Sequence, residues 1–438
     1  MNRAACRAYL RDLERFGIKL GLENITKVLA SFGDPHLSFP SIHVAGTNGK
    51  GSVCAMLTEI LALHGFKVGL YTSPHLVRIE ERIRVGRAKI PARDFCRLTG
   101  KVKLRIGRLL ARGALEVHPT FFEVLTLVAL LYFREKKVDI VVLEVGMGGR
   151  FDATNVVTPL VSVITSVSKD HQEHLGATIS RIAFEKAGIV KPCVPVVCGA
   201  GAPAASRVIK DIALGDESPF FDVFDRENAW EVERKGGRCA FRYSFFGEAF
   251  RLRPGLRGEH QGRNAAVAAA AATVLGWVWR PLDKKTIVRG IAAARWEGRL
   301  ETAAKRPLVL LDGAHNEGGA AALAAYLKER CSTRPVLVFA MMKDKAIRRV
   351  VSVLFPIAKK VVLTSIPYSR AAAPADVLRA ARPFRGKVAV EPSLRAAVAL
   401  AKSAAGPRGL VVVTGSLFLV GAFKKKGLGE KSCFRRKS

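Results

Sequence analysis

Between a short apolar run, Ser41-Ile42-His43-Val44-Ala45, and a helical pattern beginning near Val53 lies the stretch Ala45-Gly46-Thr47-Asn48-Gly49-Lys50-Gly51-Ser52. Val53, Met56, Leu57, Ile60 and Leu61 recur at helical spacing and mark one apolar helix face. A glycine-rich turn joining a buried strand to a helix aims successive backbone N–H groups at one spot, where the helix start also favours an anion. The loop therefore predicts a bound nucleoside triphosphate, with Lys50 on the β/γ-phosphates and the Ser52 hydroxyl on Mg²⁺. Its spacing departs from the common form. Val44 stands where a glycine is usual, and Gly51 separates Lys50 from Ser52.

Short apolar runs alternate with helical patterns along the rest of the chain, which predicts a parallel α/β architecture. Strands are expected at Ile42–Ala45, Val68–Tyr71, Ile140–Val145 and Val161–Thr165, and an alanine-rich helix over Asn264 to Leu275. The rougher stretch from Val194 to Gly258, with strand-like pieces such as Arg238–Phe246, reads as an antiparallel flank. A second alternating series runs through Val309–Leu311, Val336–Phe339, Lys360–Thr364, Lys387–Val390 and Leu410–Val413. The expected fold is α/β: a P-loop-containing parallel-sheet domain over 1–294 and a smaller, doubly wound Rossmann-like domain over 295–423. A basic, unpacked tail over 424–438 completes it.

With 438 residues, 49% of them hydrophobic, two cores are the default. The chain lacks an apolar run long enough to span a membrane, and Met1 to Arg15 is charged throughout, so a cytoplasmic protein is expected. The eight scattered cysteines form no C-x-x-C pair, which fits reduced thiols better than a disulfide or zinc framework. The 71 Lys+Arg against 37 Asp+Glu raise the question of nucleic acid, but they are spread over the whole length without an RNA- or DNA-binding motif. Attraction of polyanionic substrates explains the charge with fewer assumptions, and no nucleic-acid partner is expected.

Ligands of open parallel sheets collect beyond the carboxyl ends of the strands. Polar residues fall at those ends: Thr72-Ser73-Pro74-His75 after the second strand, Glu144 at the end of the third, and Asp170-His171 after the fourth. A carboxylate ending a buried strand is costly without a cation, and nucleotide-bound Mg²⁺ is the natural one for Glu144.

The ordered motifs HVAGTNGKGS, TSPHL, TFFE, LEVGMGGRFDATN, DHQEHLG, IAFEKAGIVK, HQGRNA, WEGRLE, LDGAHN and VTGSL resemble the folylpolyglutamate synthase/dihydrofolate synthase family of the Mur ligase superfamily. The match runs from about Gly21 to Gly421, and the inserted Gly51 is that family's own form of the loop. The resemblance implies an ATP site built from Asn48, Gly49, Lys50, Gly51, Ser52, Asn264, Arg299, Asp312 and His315. It implies Mg²⁺ ligands at Ser52, Ser73, Glu144 and His171, and a carbamylated Lys186 holding a second magnesium. Read from its surroundings alone, Lys186 is a solvated helix lysine. A pterin-side pocket is implied at Thr120, Phe121, Phe122, Glu123, Phe151, Asp152 and Ala153, with contributions from Leu20, Gly21 and Leu22. Lys50, His171 and Lys186 are the implied catalytic residues. Met147 and Phe151 stand where Leu is more usual, and Lys169 adds charge beside the metal ligands.

The implied reaction is glutamate addition to a folate or dihydropteroate carboxylate. ATP first makes an acyl phosphate, the amine of L-glutamate then attacks it, and ADP and phosphate are released by a monomeric enzyme. A muramyl-peptide ligase fits less well, because only about 40 residues precede the loop, too few for a further nucleotide-sugar domain. A basic P-loop RNA-binding module leaves Glu144, His171 and the DGAHN stretch unexplained.

Overall fold

The computed structural model describes residues 1–13, 17, 21–235 and 238–429. Its first sheet contains β1 (Ser41–Ala45), β2 (Val68–Tyr71), β3 (Ile83–Val85), β4 (Ala88–Lys89), β5 (Ile140–Glu144), β6 (Val161–Ile164), β7 (Val196–Cys198) and β8 (Phe220–Asp222). Their spatial order is β4-β3-β2-β5-β1-β6-β7-β8. Every residue of β1, β2, β5 and β6 is buried, as their unbroken apolar runs require of strands covered on both faces. Parallel register sets Val44 opposite Glu144 and Ala45 opposite Ile164, so the loops after β1, β5 and β6 leave the sheet at one level.

The helix Lys50–Leu63 follows β1 and buries Val53, Met56, Leu57, Ile60 and Leu61, each worth about 1.5–3 kcal/mol of transfer energy. That packing anchors the polar loop ahead of it. The alanine-rich pattern becomes the helix Glu259–Val278, whose buried small side chains let it lie close against Lys50–Leu63 and β6–β7. The other face of the sheet is covered by the helices Arg3–Leu13, Glu23–Ala30, Ala92–Ala111 and Phe121–Lys136.

Part of the expected antiparallel flank is instead parallel. The helix Pro203–Gly215 crosses between β7 and β8, which returns the chain in the same direction and extends the main sheet. Only β9 (Trp230–Lys235), β10 (Arg238–Phe245) and β11 (Glu248–Leu252) form a separate antiparallel sheet.

The second sheet has the order β12-β13-β17-β14-β15-β16. Its members are β12 (Glu301–Lys305), β13 (Leu308–Leu311), β14 (Val336–Phe339), β15 (Lys360–Leu363), β16 (Val388–Val390) and β17 (Leu410–Thr414). The antiparallel edge strand β12 was not expected; the two-residue link Arg306-Pro307 folds it back on β13.

The expected unpacked tail also needs correction over its first residues. The last helix, Leu417–Lys425, runs past Lys424, whose ammonium reaches Glu297 at 2.6 Å and Glu301 at 2.8 Å. Leu428 packs on the core of the second sheet. The remainder, 430–438, lies outside the described residues. Among the described residues no helix is long and apolar enough to cross a membrane.

Candidate active site

The loop after β1 is held by the loop after β6. Thr47 N–H donates to Ser166 O (2.8 Å), Asn48 N–H to Ser166 Oγ (2.9 Å), and Thr165 Oγ1 to Asn48 O (2.7 Å). Gly49 caps the helix with φ +89°, and a Cβ there would lie 2.3 Å from Asn264 Oδ1. The inserted Gly51 has an equally local reason: its Cβ would lie 2.7 Å from Trp296 Nε1. Ser52 is buried in the first helical turn. Lys50 donates to Gly46 O at 2.9 Å, and its charge acts on Glu144, His171 and Lys186 together.

Glu144 ends β5 fully buried, and its Oε2 accepts from Ser73 N–H at 3.1 Å. Burial raises its pKa against the pull of Lys50, so the site has a carboxylate in need of a cation. His171, two loops away, adopts φ +48° and presents Nε2 to the Lys345 ammonium at 3.0 Å. Because that ammonium can only donate, Nε2 accepts and the ring proton belongs on Nδ1. Burial, aided by Lys345, pushes the imidazole down to about 4.

Two cavities meet at His315, which lines both. One, of about 260 Å³, is lined by Asn48, Gly49, Ser52, Asn264, Arg299, Asp312 and His315, so it gathers residues from both domains that the sequence assigned to ATP. Asp312 accepts from Leu300 N–H (3.0 Å) and Ala314 N–H (2.9 Å), which locks the turn carrying His315. The other, of about 320 Å³, is lined by Gly21, Ser73, Thr120, Phe122, Glu123, Phe151, Asp152 and Ala153, together with His171 and His315.

Some expected pocket residues do other work. Phe121 stacks under the Arg82 guanidinium (5.6 Å) and, like Leu22, packs against the core rather than lining the cavity. Glu123 caps its own helix, accepting from Thr120 N–H (2.7 Å) and Thr120 Oγ1 (2.8 Å). Asp152 is likewise engaged by Met147 N–H (2.9 Å) and Thr154 Oγ1 (2.6 Å). Leu20 lies outside the described residues.

A model of the Mur ligase middle domain matches residues 44–272, and one of the Mur ligase glutamate ligase domain matches 298–417. A Bacillus subtilis dihydrofolate synthase/folylpolyglutamate synthase is 35% identical over 428 residues, spanning 96% of this chain and 98% of that protein. The chain belongs to the folylpolyglutamate synthase/dihydrofolate synthase family. Among solved structures, a Mycobacterium tuberculosis folylpolyglutamate synthase complexed with ADP superposes with a TM-score of 0.90 at 30% identity, covering 97% of this chain and 99% of that one. FolC of Escherichia coli in complex with DHPP and ADP superposes at 0.85 with 31% identity, covering 96% and 97%.

Within this folylpolyglutamate synthase-type site, Lys186 corrects the reading made from its surroundings alone. It is buried, not solvated, and desolvation with the nearby Lys50 charge pushes its ammonium down to about 7. The helix Ile179–Ala187 is amphipathic, but which face turns inward is decided by the core that Ile182, Ala183 and Ala187 share with the helix Pro203–Gly215.

Two contributors carried no role in the sequence reading. Lys345 and Asn316 reach from the second domain: Asn316 Nδ2 donates to Asn48 Oδ1 (3.0 Å) and Asp170 Oδ2 (2.9 Å). Lys345 follows the carboxyl end of β14, so the strand-end rule that found Glu144 could have found it too.

Proposed function

We propose that the protein is an ATP-dependent ligase that joins the amine of L-glutamate to a folate or dihydropteroate carboxylate through an acyl phosphate, releasing ADP and phosphate. The observation that carries this is that His315 lines both cavities, with Ser52 in the wall of one and Ser73 and His171 in the wall of the other. A triphosphate in one and a carboxylate in the other would then face each other. The relatives named for folylpolyglutamate and dihydrofolate synthesis, and those holding ADP or DHPP, support the same reading.

Lys50 heads the helix that receives the phosphates and offsets charge developing on the transferred phosphoryl group. Asn264, Arg299, Asp312 and His315 orient the nucleotide from the linker and the second domain. Gly21, Thr120, Phe122, Glu123, Phe151, Asp152 and Ala153 shape the pterin side. Approach of the second domain excludes water from the acyl phosphate.

The residues present suit Mg²⁺. Ser52, Ser73 and Glu144 offer hard oxygen atoms, His171 an imidazole, and buried Glu144 accepts from Ser73 N–H and forms no ion pair among the described residues. Among the described residues no three His, Cys, Asp or Glu form a closed cage, as fits an ion that shares its shell with phosphates and water. Bound there, magnesium would neutralise phosphate charge. Lys186 suits carbamylation because a buried amine pushed down to about 7 has a substantial neutral fraction near neutral pH and can add carbon dioxide. The carbamate would replace a buried cation by a second magnesium ligand.

The division into 1–294 and 295–423, a cytoplasmic setting, a monomeric state and the absence of a nucleic-acid partner belong to the same proposal. Seven unpaired cysteines among the described residues support a reducing compartment. The test is glutamate-dependent ADP release, with dihydropteroate and tetrahydrofolate compared as acceptors. No ADP with either acceptor would end the proposal.

A further inference from the structure

A third cavity, of about 960 Å³, opens on the far side of Ser73 and Pro74. It shares Ser73, Pro74 and Leu417 with the pterin-side cavity and Arg299 with the nucleotide cavity, and Glu144 and Gly51 form its inner end. The three spaces thus touch pairwise, through Ser73 and Pro74, through Arg299 and through His315, and two of them are accounted for.

Five glutamates and five arginines line the third, and Lys89 and Lys424 behind its wall add two further cations. Glu59 is held by Arg87 through two bonds of 3.0 and 2.8 Å. Glu81 takes backbone N–H groups from Leu76, Val77 and Arg78 and the ammonium of Lys89 (3.2 Å). Glu297 and Glu301 share Lys424. Every wall carboxylate except Glu144 thus already has its cation. Arg84, Arg257 and Arg295 have no carboxylate within ion-pair distance among the described residues. Arg84 donates to Glu81 O (3.2 Å) and lies over the Trp296 ring (5.4 Å); Arg257 donates to Thr302 Oγ1 (2.7 Å) and Arg295 to Ala294 O (2.8 Å). Each guanidinium keeps further N–H donors to offer.

This balance selects the ligand. An amino acid would need an acceptor for its ammonium group, and the one wall carboxylate without a cation, Glu144, is the residue that the ligase reading gives to magnesium. A folate tail must run from the pterin to the reacting carboxylate, which places it in the other cavity. A small, fully anionic species fits. We propose that the third cavity is a phosphate site, receiving the orthophosphate freed by ligation and passing it to solvent while nucleotide and folyl product still fill the other two cavities. The inference rests on the ligase reading above.

The experiment compares wild type with Arg84→Gln/Arg295→Gln, and with Arg84→Lys/Arg295→Lys as a charge-preserving control. Initial rates of ADP formation are measured against added inorganic phosphate, alongside ADP affinity as a check on folding. The neutral pair should weaken phosphate inhibition about tenfold or more, as loss of charge-assisted bonds implies, with ADP affinity unchanged and the lysine pair nearer wild type. Unaltered phosphate inhibition in the neutral pair would overturn the proposal. So would a raised KM for glutamate with phosphate inhibition intact, since the cavity would then serve the amino acid. Phosphorus NMR titration of inorganic phosphate reads the same site without turnover. An inactive wild type that still bound phosphate through Arg84 and Arg295 would fail the ligase reading, not the site.

Discussion

Lys345, carried by the second domain, donates to Asp170 Oδ1 of the first at 2.7 Å, with the two side chains only 8% and 9% exposed. Burial opposes charge on Asp170, yet Lys345, His171 and His315 outweigh it and hold the carboxyl well below the ordinary range. The same ammonium touches His171, so one residue ties the two domains together beside the expected metal ligands.

Breaking that tie from one side leaves a buried charge alone. Lys345→Met should destabilise the folded protein by on the order of 3 kcal/mol, and Lys345→Met with Asp170→Asn by less than the sum of the two single changes. Since the Asp170 pKa is depressed, the stabilisation is present above the ordinary carboxylate range and is lost as pH falls through the folded value. Urea unfolding of the four proteins at neutral pH checks the coupling. Additive effects would mean that the contact contributes nothing.

Lys50 faces Glu144, His171 and Lys186 from the start of its helix. Lys50→Ala should lower glutamate-dependent ADP formation by about a thousandfold, because phosphoryl charge loses its nearest fixed cation. A coupled ADP assay with the acceptor that supports the higher wild-type rate measures it, and near-normal turnover would remove Lys50 from the mechanism.

For Lys186, the carbamate reading expects Lys186→Ala to bind ATP but ligate about a hundredfold more slowly, with partial recovery on adding a short carboxylate such as acetate. Isotopically labelled bicarbonate should give a carbamate signal in wild type and none in the variant. A wild-type spectrum lacking that signal, with no rescue, would leave Lys186 an ordinary buried lysine.

His43 sits fully buried in β1, with Nε2 hydrogen bonded to Thr154 Oγ1 at 2.8 Å, and desolvation pushes it from 6.5 down to about 3. Its folded pKa is the lower one, so on acidification the unfolded chain takes up the proton first and stability falls as pH drops from 6.5 toward about 3. From pH 6.5 to about pH 5 this costs about 2 kcal/mol. His43→Gln should lose that part of the acid dependence, seen as a flatter plot of urea midpoint against pH. An unchanged slope would assign the acid sensitivity to other groups.

Local signals account for what could be read without coordinates. The glycine loop between β1 and its helix, the fully apolar β1, β5 and β6, and the polar residues at their carboxyl ends are set by backbone period and by glycine punctuation within a few residues. The ordered motifs carried the family, and seven of the nine residues they implied for ATP line one cavity, Lys50 and Gly51 being the exceptions. Tertiary packing decided the rest. The direction of β7 and β8 depends on which strand each meets after its crossover, and the burial of Lys186 on which face of its helix the sheet covers. Lys345 gains its role only when a loop 175 positions away in sequence from Asp170 is brought against it. Contact and desolvation are properties of residues distant along the chain, and no local pattern records them.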